Sequence, residues 1–128
     1  MILLDTCALL WLASDQSRLS PDAKRAIEKN SNALFISAIT AFEIAVKCRA
    51  KKLTLPLPVE QWIPETLAFH GIGEIAVTSA LAVASVQLPP LHNDPCDRII
   101  LATAQMNGMK ITTPDALISQ YPSAPVIW

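Results

Sequence analysis

Short apolar runs alternate with helical segments along nearly the whole chain, and this alternation constrains the fold more than any other feature. The runs are apolar throughout, whereas a half-exposed strand would alternate polar and apolar residues. A continuously apolar strand is typical of a parallel sheet that is covered by helices on both faces. The segments predicted as strands are MILLD (1–5), ALFIS (33–37), IGEIAV (72–77), MKIT (109–112) and APVIW (124–128).

Helix signals fill the intervals between these runs. Ser20 before Pro21 and Asp94 before Pro95 are typical helix starts, and Gly108 is typical of a helix end. Pro64 is expected to bend or split its helix. The predicted helical segments are TCALLWLA, SPDAKRAIEKN, TAFEIAVKCRAKKL, PVEQWIPETLAFHG, TSALAVASVQL, DPCDRIILATAQMNG and PDALISQY. With no repeat or low-complexity segment, the pattern predicts a single α/β domain over residues 1–128.

The composition points to a protein with a partner. Hydrophobic residues make up 52% of the 128 residues and charged residues only 16%, which is more apolar surface than a small core hides. We therefore expect a subunit or partner interface. The formal net charge of -1 provides no general attraction for nucleic acid, so any such binding would need a local basic patch.

The cysteines and the start of the chain indicate the compartment. The three cysteines are odd in number and form no CxxC pair, as expected for reduced thiols in the cytoplasm. The apolar start lacks basic residues and contains Asp5, so we do not expect a signal peptide. The longest weakly polar stretch, IAVTSALAVASVQL, is too short to span a membrane. We predict a soluble cytoplasmic protein.

Four acids follow four different strands or open the helices after them. They are Asp5, Glu43, Asp97 and Asp115. Because the carboxyl ends of parallel strands share one edge of a sheet, these side chains are expected to converge there.

Helix capping is the simpler explanation for each acid alone. Asp5 could cap the following helix, Glu43 has capping-box spacing from Thr40, and Asp97 and Asp115 suit a helix start. A cap is worth about 1 kcal/mol, whereas two carboxylates about 4 Å apart repel by roughly 4 kcal/mol at an effective dielectric near 20. A cluster of four therefore needs protons or a cation. Oxygen ligands select a hard ion, Mg²⁺ or Mn²⁺.

Four blocks in this order resemble one known family. LLDTCALLWL, ISAITAFEIAVKCRAKKLTL, HNDPCDRIILATAQ and ITTPDALI are together similar to PIN-domain proteins, specifically VapC-type toxin ribonucleases of bacterial toxin–antitoxin systems. The resemblance implies a parallel sheet sandwiched between helices, with an acidic magnesium site at its carboxyl edge. It also implies that Asp5, Glu43, Asp97 and Asp115 are the catalytic metal ligands.

Three further residues of these blocks bear on the site. Asp94 in HNDP is expected mainly to cap its helix. Cys7 and Cys96 depart from the family pattern, where a polar residue and an aromatic are common at these positions. Neither departure removes an acid, but Cys7 could recruit a softer metal.

The resemblance further implies an activity and partners. The expected reaction is hydrolysis of RNA phosphodiesters by metal-activated water, without a histidine base. A homodimer and a cognate antitoxin that inhibits the enzyme are implied as partners. His92 is therefore not expected to act in catalysis, and His70 is expected to be a cation at a helix C-terminus.

Positive charge for an RNA substrate has two candidate sources. Lys47, Arg49, Lys51 and Lys52 either bind phosphate or form a solvated helix terminus. Arg98 could contact a phosphate or a neighbouring carboxylate. Thr112 and Thr113 could cap the last helix or bond to Asp115. The aromatic residues expected in the core or an interface are Trp11, Trp62, Phe42 and Phe69.

Two alternatives without ribonuclease activity remain open. A receiver-like signalling domain is also doubly wound, but it would need an acid pair after the first strand and an aspartate after the third, where Thr78 stands. The second alternative is an inactive PIN-like binding module in which all four acids are caps.

Overall fold

The structure is a computed structural model that describes residues 1–128. Its strands are β1 (Ile2–Leu4), β2 (Leu34–Ser37), β3 (Gly73–Ile75), β4 (Lys110–Thr112) and β5 (Val126–Ile127). Its α-helices are α1 (Thr6–Ala13), α2 (Pro21–Lys29), α3 (Ala38–Arg49), α4 (Val59–His70), α5 (Ser79–Gln87), α6 (Pro95–Asn107) and α7 (Ala116–Ser119). The predicted alternation of strands and helices is confirmed.

The five strands form one parallel sheet in the order β3-β2-β1-β4-β5. Leu3 at the centre of β1 is in register with Phe35 of β2 on one side and Ile111 of β4 on the other. Receiver-type sheets instead have the order 2-1-3-4-5. The receiver-like alternative is therefore wrong.

Helices cover both faces of the sheet, because successive side chains of a strand point to opposite faces. Ile2 and Leu4 of β1 belong to a core that includes Leu9 of α1. Leu3, between them, belongs to a second core that includes Leu101 of α6. All five side chains are almost fully inaccessible to solvent. This is the sandwich that the apolar strands predicted.

Most helix ends lie where the sequence predicts them. Ser20 and Asp94 cap α2 and α6, and Gly71 and Gly108 end α4 and α6 with φ of 64° and 62°, a conformation that favours glycine. Pro64 lies inside α4 without splitting it, since only one backbone hydrogen bond is lost while neighbouring side chains pack against the core. None of these helices has the length and apolar character needed to cross a membrane.

The start of α3 differs from the prediction. The helix begins at Ala38, and the Ser37 hydroxyl caps it by accepting a hydrogen bond from Ile39 N–H at 3.2 Å. Thr40 is therefore inside the helix and makes no capping box with Glu43. Glu43 lies in the second turn of α3, which leaves its carboxylate available for contacts with other elements.

Candidate metal centre

Asp5 follows β1 and makes two kinds of contact. Its Oδ1 accepts a hydrogen bond from Ala8 N–H at 2.7 Å and so caps α1, as the capping interpretation predicts. Its Oδ2 accepts from the Thr113 hydroxyl at 2.5 Å. The residue is only 5% exposed. One carboxylate thus serves a helix start and a contact with the neighbouring strand end.

Thr113 connects the first acid to the fourth. Its hydroxyl donates to Asp5 and accepts from Asp115 N–H at 3.1 Å, which confirms the expected bond to Asp115. Asp115 Oδ1 caps α7 by accepting from Leu117 N–H at 2.8 Å. Thr112 contributes its carbonyl oxygen, which accepts from Asp5 N–H at 3.1 Å, while its buried hydroxyl has no partner. The other carboxylate oxygen of Asp115, Oδ2, contacts His92.

Glu43 reaches the same edge from α3. Its Oε1 accepts from the hydroxyl of Thr6, the residue after Asp5, at 2.5 Å. The Thr6 hydroxyl in turn lies 3.1 Å from that of Thr40, which holds α1 against α3. Glu43 Oε2 lies 3.6 Å from Lys47 Nζ. The second acid is therefore oriented by a threonine beside the first acid.

Asp97 and Asp115 are brought together by His92. The imidazole Nε2 lies 3.0 Å from Asp97 Oδ2 and 2.8 Å from Asp115 Oδ2. One donor atom from each of these three side chains lies within 4.8 Å of the others, and Asp5 and Glu43 lie outside this tightest group. The sequence analysis did not expect His92 to act in catalysis and did not predict this contact. The feature of the sequence that could have indicated it is the position of His92 in HNDP, two residues before the helix cap.

The carboxylates influence one another electrostatically. Burial raises the pKa of Asp97 to about 7, and the charges of Asp94, Glu43 and Asp115 add to this rise while His92 opposes it. Burial also raises the pKa of Asp5 to about 6, against the hydrogen bonds from Thr113 and Ala8 and with help from the charges of Glu43 and Asp115. All four acids therefore belong to one region of concentrated negative charge.

Asp94 has the capping role that the sequence predicts. Its Oδ1 accepts from Cys96 N–H at 2.8 Å at the start of α6. Its own backbone N–H donates to Nδ1 of His92 at 3.1 Å. Asp94 thus opens the helix that carries Asp97 and also holds the imidazole that contacts Asp97.

Arg98 contacts no carboxylate, so that part of its expected role is wrong, and its contact with a phosphate stays a prediction. Its guanidinium donates hydrogen bonds to the Tyr121 hydroxyl and to five backbone carbonyl oxygens, those of Ser85, Val86, Leu88, Pro89 and His92. Every N–H of the group therefore has an acceptor at the end of α5, in the following loop or at Tyr121. Arg98 fixes the loop that carries His92.

The two cysteines near the acids are poor metal ligands. Burial raises the pKa of Cys96 to about 11, with further increases from Glu43, Asp94 and Asp97. Burial and the charge of Asp5 raise the pKa of Cys7 in the same direction. Both thiols are protonated at neutral pH, whereas the thiolate is the form that binds metal. The expectation that Cys7 attracts a softer metal is therefore not favoured by the structure.

The remaining candidates lie away from the acids. Trp62 is buried and belongs to the core, and Trp11 packs against it in part, as predicted. Phe42 and Phe69 are 59% and 84% exposed, which excludes a core position for either and leaves the interface as a prediction. Burial lowers the pKa of His70, which disfavours the cation expected at the end of α4.

The donor atoms at this edge fit a hard divalent cation. Carboxylate oxygens dominate the set, and burial together with the neighbouring carboxylates raises the pKa of Asp5 and Asp97. A cation would relieve this repulsion, and oxygen ligands favour Mg²⁺ or Mn²⁺.

A parallel α/β domain with acids at the carboxyl edge of its central strands defines a recognisable class of protein. The PIN-domain family model matches residues 2–123, and the chain belongs to this family. It is 32% identical to Ribonuclease VapC22 of Mycobacterium tuberculosis over 130 residues, which covers 99% of this chain and 98% of that relative. The resemblance to VapC-type proteins is thereby confirmed.

Two solved structures illustrate the similarity of the fold. A toxin–antitoxin complex from Klebsiella pneumoniae contains a chain that is 26% identical, with a TM-score of 0.69 and coverage of 100% of this chain and 97% of that one. VapBC2 from Rickettsia felis, bound to a DNA fragment from its promoter, has a TM-score of 0.72 at 14% identity, with coverage of 98% and 97%. The second match concerns the fold alone.

Proposed function

We propose that this chain is a magnesium-dependent endoribonuclease that acts as the toxin of a toxin–antitoxin pair. The observation that carries the proposal is the gathering of Asp5, Glu43, Asp97 and Asp115 in one region, where the pKa of Asp5 and that of Asp97 are raised. Membership of the PIN-domain family and similarity to a relative named as a ribonuclease support it.

The four acids are the proposed ligands of Mg²⁺, with Mn²⁺ as a substitute. When bound, such an ion lowers the pKa of a water molecule and stabilises negative charge on the phosphate, which makes the water a nucleophile near neutral pH. Asp5, Glu43 and Asp97 are the principal ligands in this proposal. Asp115 is a further ligand or orients water.

The chain itself supplies orientation at each of these positions. Thr113 holds the Asp5 carboxylate and Thr6 holds that of Glu43, in both cases through a hydroxyl hydrogen bond of 2.5 Å. Each carboxylate that is fixed in advance needs less reordering when the cation binds. No side chain at this edge needs to accept the proton of water as a histidine base would.

RNA would be held by the basic end of α3. Arg49, Lys51 and Lys52 are exposed there, on the helix that carries Glu43 and in the turn after it. This cluster offers positive charge for the RNA backbone, while Lys47 pairs with Glu43.

The proposed partners are a cognate antitoxin protein and a second copy of this chain. The Klebsiella pneumoniae structure is a toxin–antitoxin complex, and this chain matches one of its chains over its full length. Large apolar side chains are exposed on α3, α4 and α5, which fits surfaces that a partner covers. They are Phe42, Val46, Phe69, Val83 and Val86. Sedimentation equilibrium of the purified chain tests the homodimer.

Cleavage of RNA in the presence and absence of metal tests the proposed activity. The purified chain should cut a mixture of transfer, ribosomal and messenger RNA when Mg²⁺ or Mn²⁺ is added and should stop when EDTA removes the ion. A parallel preparation of Asp97→Asn controls for contaminating nucleases. Equal cleavage by the variant, or cleavage that persists in EDTA, would refute the proposal. Sequencing of the fragment ends then identifies the RNA and the position of the cut.

A further inference from the structure

Both the backbone and the side chain of His92 are held by contacts with other residues. Its backbone N–H donates to the Tyr121 hydroxyl at 2.9 Å, and its carbonyl oxygen accepts from Arg98 at 3.0 Å. Its imidazole accepts from Asp94 N–H on one side and contacts two carboxylates on the other. The side chain is only 11% exposed. The loop between α5 and α6 therefore presents this imidazole in one orientation.

The hydrogen bonds of the imidazole determine its tautomer. Nδ1 lies 3.1 Å from Asp94 N–H, which is a donor, so the lone pair of Nδ1 is the acceptor. In the neutral ring the proton is then on Nε2, which faces Asp97 and Asp115 at 3.0 and 2.8 Å. A protonated Nε2 has no lone pair for a metal ion. His92 is therefore a hydrogen-bond donor to the acidic cluster, although its position alone would also suit a metal ligand.

We propose that His92 is a positioning residue. Its Nε2–H donates to Asp115 and lies against Asp97, which keeps the two carboxylates side by side in the orientation that the metal ion requires. This inference rests on the proposed function, since it concerns the same metal centre. Partners that orient a ligand typically change metal affinity by about 10- to 100-fold when they are removed.

Two substitutions separate hydrogen-bond donation from mere filling of space. In His92→Gln, the side-chain amide N–H can take the place of Nε2–H as the donor to Asp115 beside Asp97. In His92→Leu, a side chain of similar bulk has no donor. His70→Leu is a matched control, because that imidazole lies at the end of α4 and contacts Phe69 instead of an acid.

Mn²⁺ affinity is the main measurement, by titration with detection of the free ion by electron paramagnetic resonance. We expect the dissociation constant of His92→Leu to rise about 10- to 100-fold, with a matching loss of kcat at fixed Mn²⁺ and little change in KM for RNA. His92→Gln should stay within about threefold of the unmodified chain, and His70→Leu should match it. The melting temperature in EDTA identifies any variant that fails to fold. If His92→Leu fails to fold, the Mn²⁺ affinity of His92→Gln decides whether the positioning role holds.

A spectroscopic measurement tests the same inference without a substitution. In the Mn²⁺-loaded chain, electron spin-echo envelope modulation detects nitrogen that is bound directly to the ion. We expect no such imidazole signal. A directly bound nitrogen would overturn the inference and make His92 a ligand, and so would an unchanged Mn²⁺ affinity in His92→Leu or an equal loss in His92→Gln.

The failure of this inference is distinguishable from failure of the proposed function. If the unmodified chain binds Mn²⁺ and cuts RNA while His92→Leu behaves identically, only the positioning role is overturned. If the unmodified chain binds no Mn²⁺, the proposed metal centre fails and the positioning role fails with it.

Discussion

Helices that begin at the carboxyl edge of the sheet are capped by different side chains in the middle of the edge and on its β3 flank. In the middle, Asp5 and Asp115 cap α1 and α7 with carboxylates. On the flank, Thr78 caps α5 with a neutral hydroxyl that accepts from Leu81 N–H at 3.2 Å. The hydrogen bond to the helix is of the same kind in all three cases. A charge is therefore not required to begin a helix at this edge.

The difference shows that the middle of the edge carries more charge than its helices need. Burial and mutual repulsion raise the pKa of Asp5 to about 6 and that of Asp97 to about 7. On the flank, the cap of α5 is neutral, and the cation Arg98 donates to backbone carbonyl oxygens instead of pairing with an acid. A charge that destabilises the folded chain without improving its caps is the expected sign of a site for a cation.

The largest expected effect is loss of activity in Asp97→Asn. Asn keeps the size of the side chain but removes a metal ligand, so we expect RNA cleavage to fall at least about 1000-fold, equivalent to roughly 4 kcal/mol in the activation barrier. Asp22→Asn is the matched control, because Asp22 is also in the first turn of a helix but is exposed and pairs with Arg25. Initial cleavage rates at saturating Mg²⁺ measure both. Equal rates for the two variants would mean that Asp97 contributes no more to cleavage than the exposed Asp22.

On the flank, Arg98→Met should cause a large loss of stability. The substitution keeps the apolar stem and leaves the carbonyl oxygens of the α5–α6 loop without their donor, which we expect to lower the free energy of unfolding by about 3 kcal/mol. Urea denaturation monitored by circular dichroism measures this change. Arg98→Lys should lie between the two, since an ammonium replaces some of the donors. A loss below about 1 kcal/mol would mean that the loop is held by other contacts.

The pH dependence of stability should distinguish the two regions. Because the folded-state pKa values of Asp5 and Asp97 lie above their ordinary value of 3.8, the native state binds more protons than the unfolded state between about pH 4 and 7. Without metal, the free energy of unfolding should therefore fall as pH rises, by about 2 kcal/mol from pH 5 to 8.

Urea titrations in EDTA across this range measure the decrease, and the same titrations of Asp97→Asn should show a flatter profile. With saturating Mg²⁺ the direction should reverse, since the ion binds deprotonated carboxylates. If the metal-free chain instead gained stability toward pH 8, the unfavourable negative charge assigned to the middle of the edge would be contradicted.

The smallest effects compare two helix caps directly. Asp5→Asn retains an oxygen for Ala8 N–H and removes a destabilising charge, so without metal at pH 8 it should be neutral or stabilising. Thr78→Ala removes a neutral cap and should lower the free energy of unfolding by about 1 kcal/mol. Urea denaturation in EDTA measures both. A loss of 1 kcal/mol or more in Asp5→Asn would make capping the main purpose of that acid.

The features that the sequence predicted well depend on neighbours along the chain. Ser20, Thr78 and Asp94 were recognisable as caps because a cap and its N–H donor are two or three positions apart. The apolar runs indicated buried parallel strands because burial on both faces requires apolar side chains at every position. Asp5 and Asp115 were noticed because they closely follow a strand, and Glu43 and Asp97 because they lie near the start of a helix.

Other features were decided only when distant segments came together. Thr113 and Asp5 are 108 positions apart, and Arg98 finds its acceptors in the loop before its own helix. The spacing of Glu43 from Thr40 also suited a capping box, but packing of α1 against α3 directs its carboxylate to Thr6.

The strand order and the role of His92 also belong to the tertiary structure. A histidine in a loop could be a base, a metal ligand, a hydrogen-bond donor or a solvated side chain, and the surrounding sequence does not distinguish these roles. Its partners, Asp94 on one ring nitrogen and two carboxylates on the other, are set by the packing of α6 and α7 against the sheet. Local hydrogen bonding is encoded in adjacent residues, whereas a donor that lies between two acids exists only after long-range packing has placed them within a few ångströms of each other.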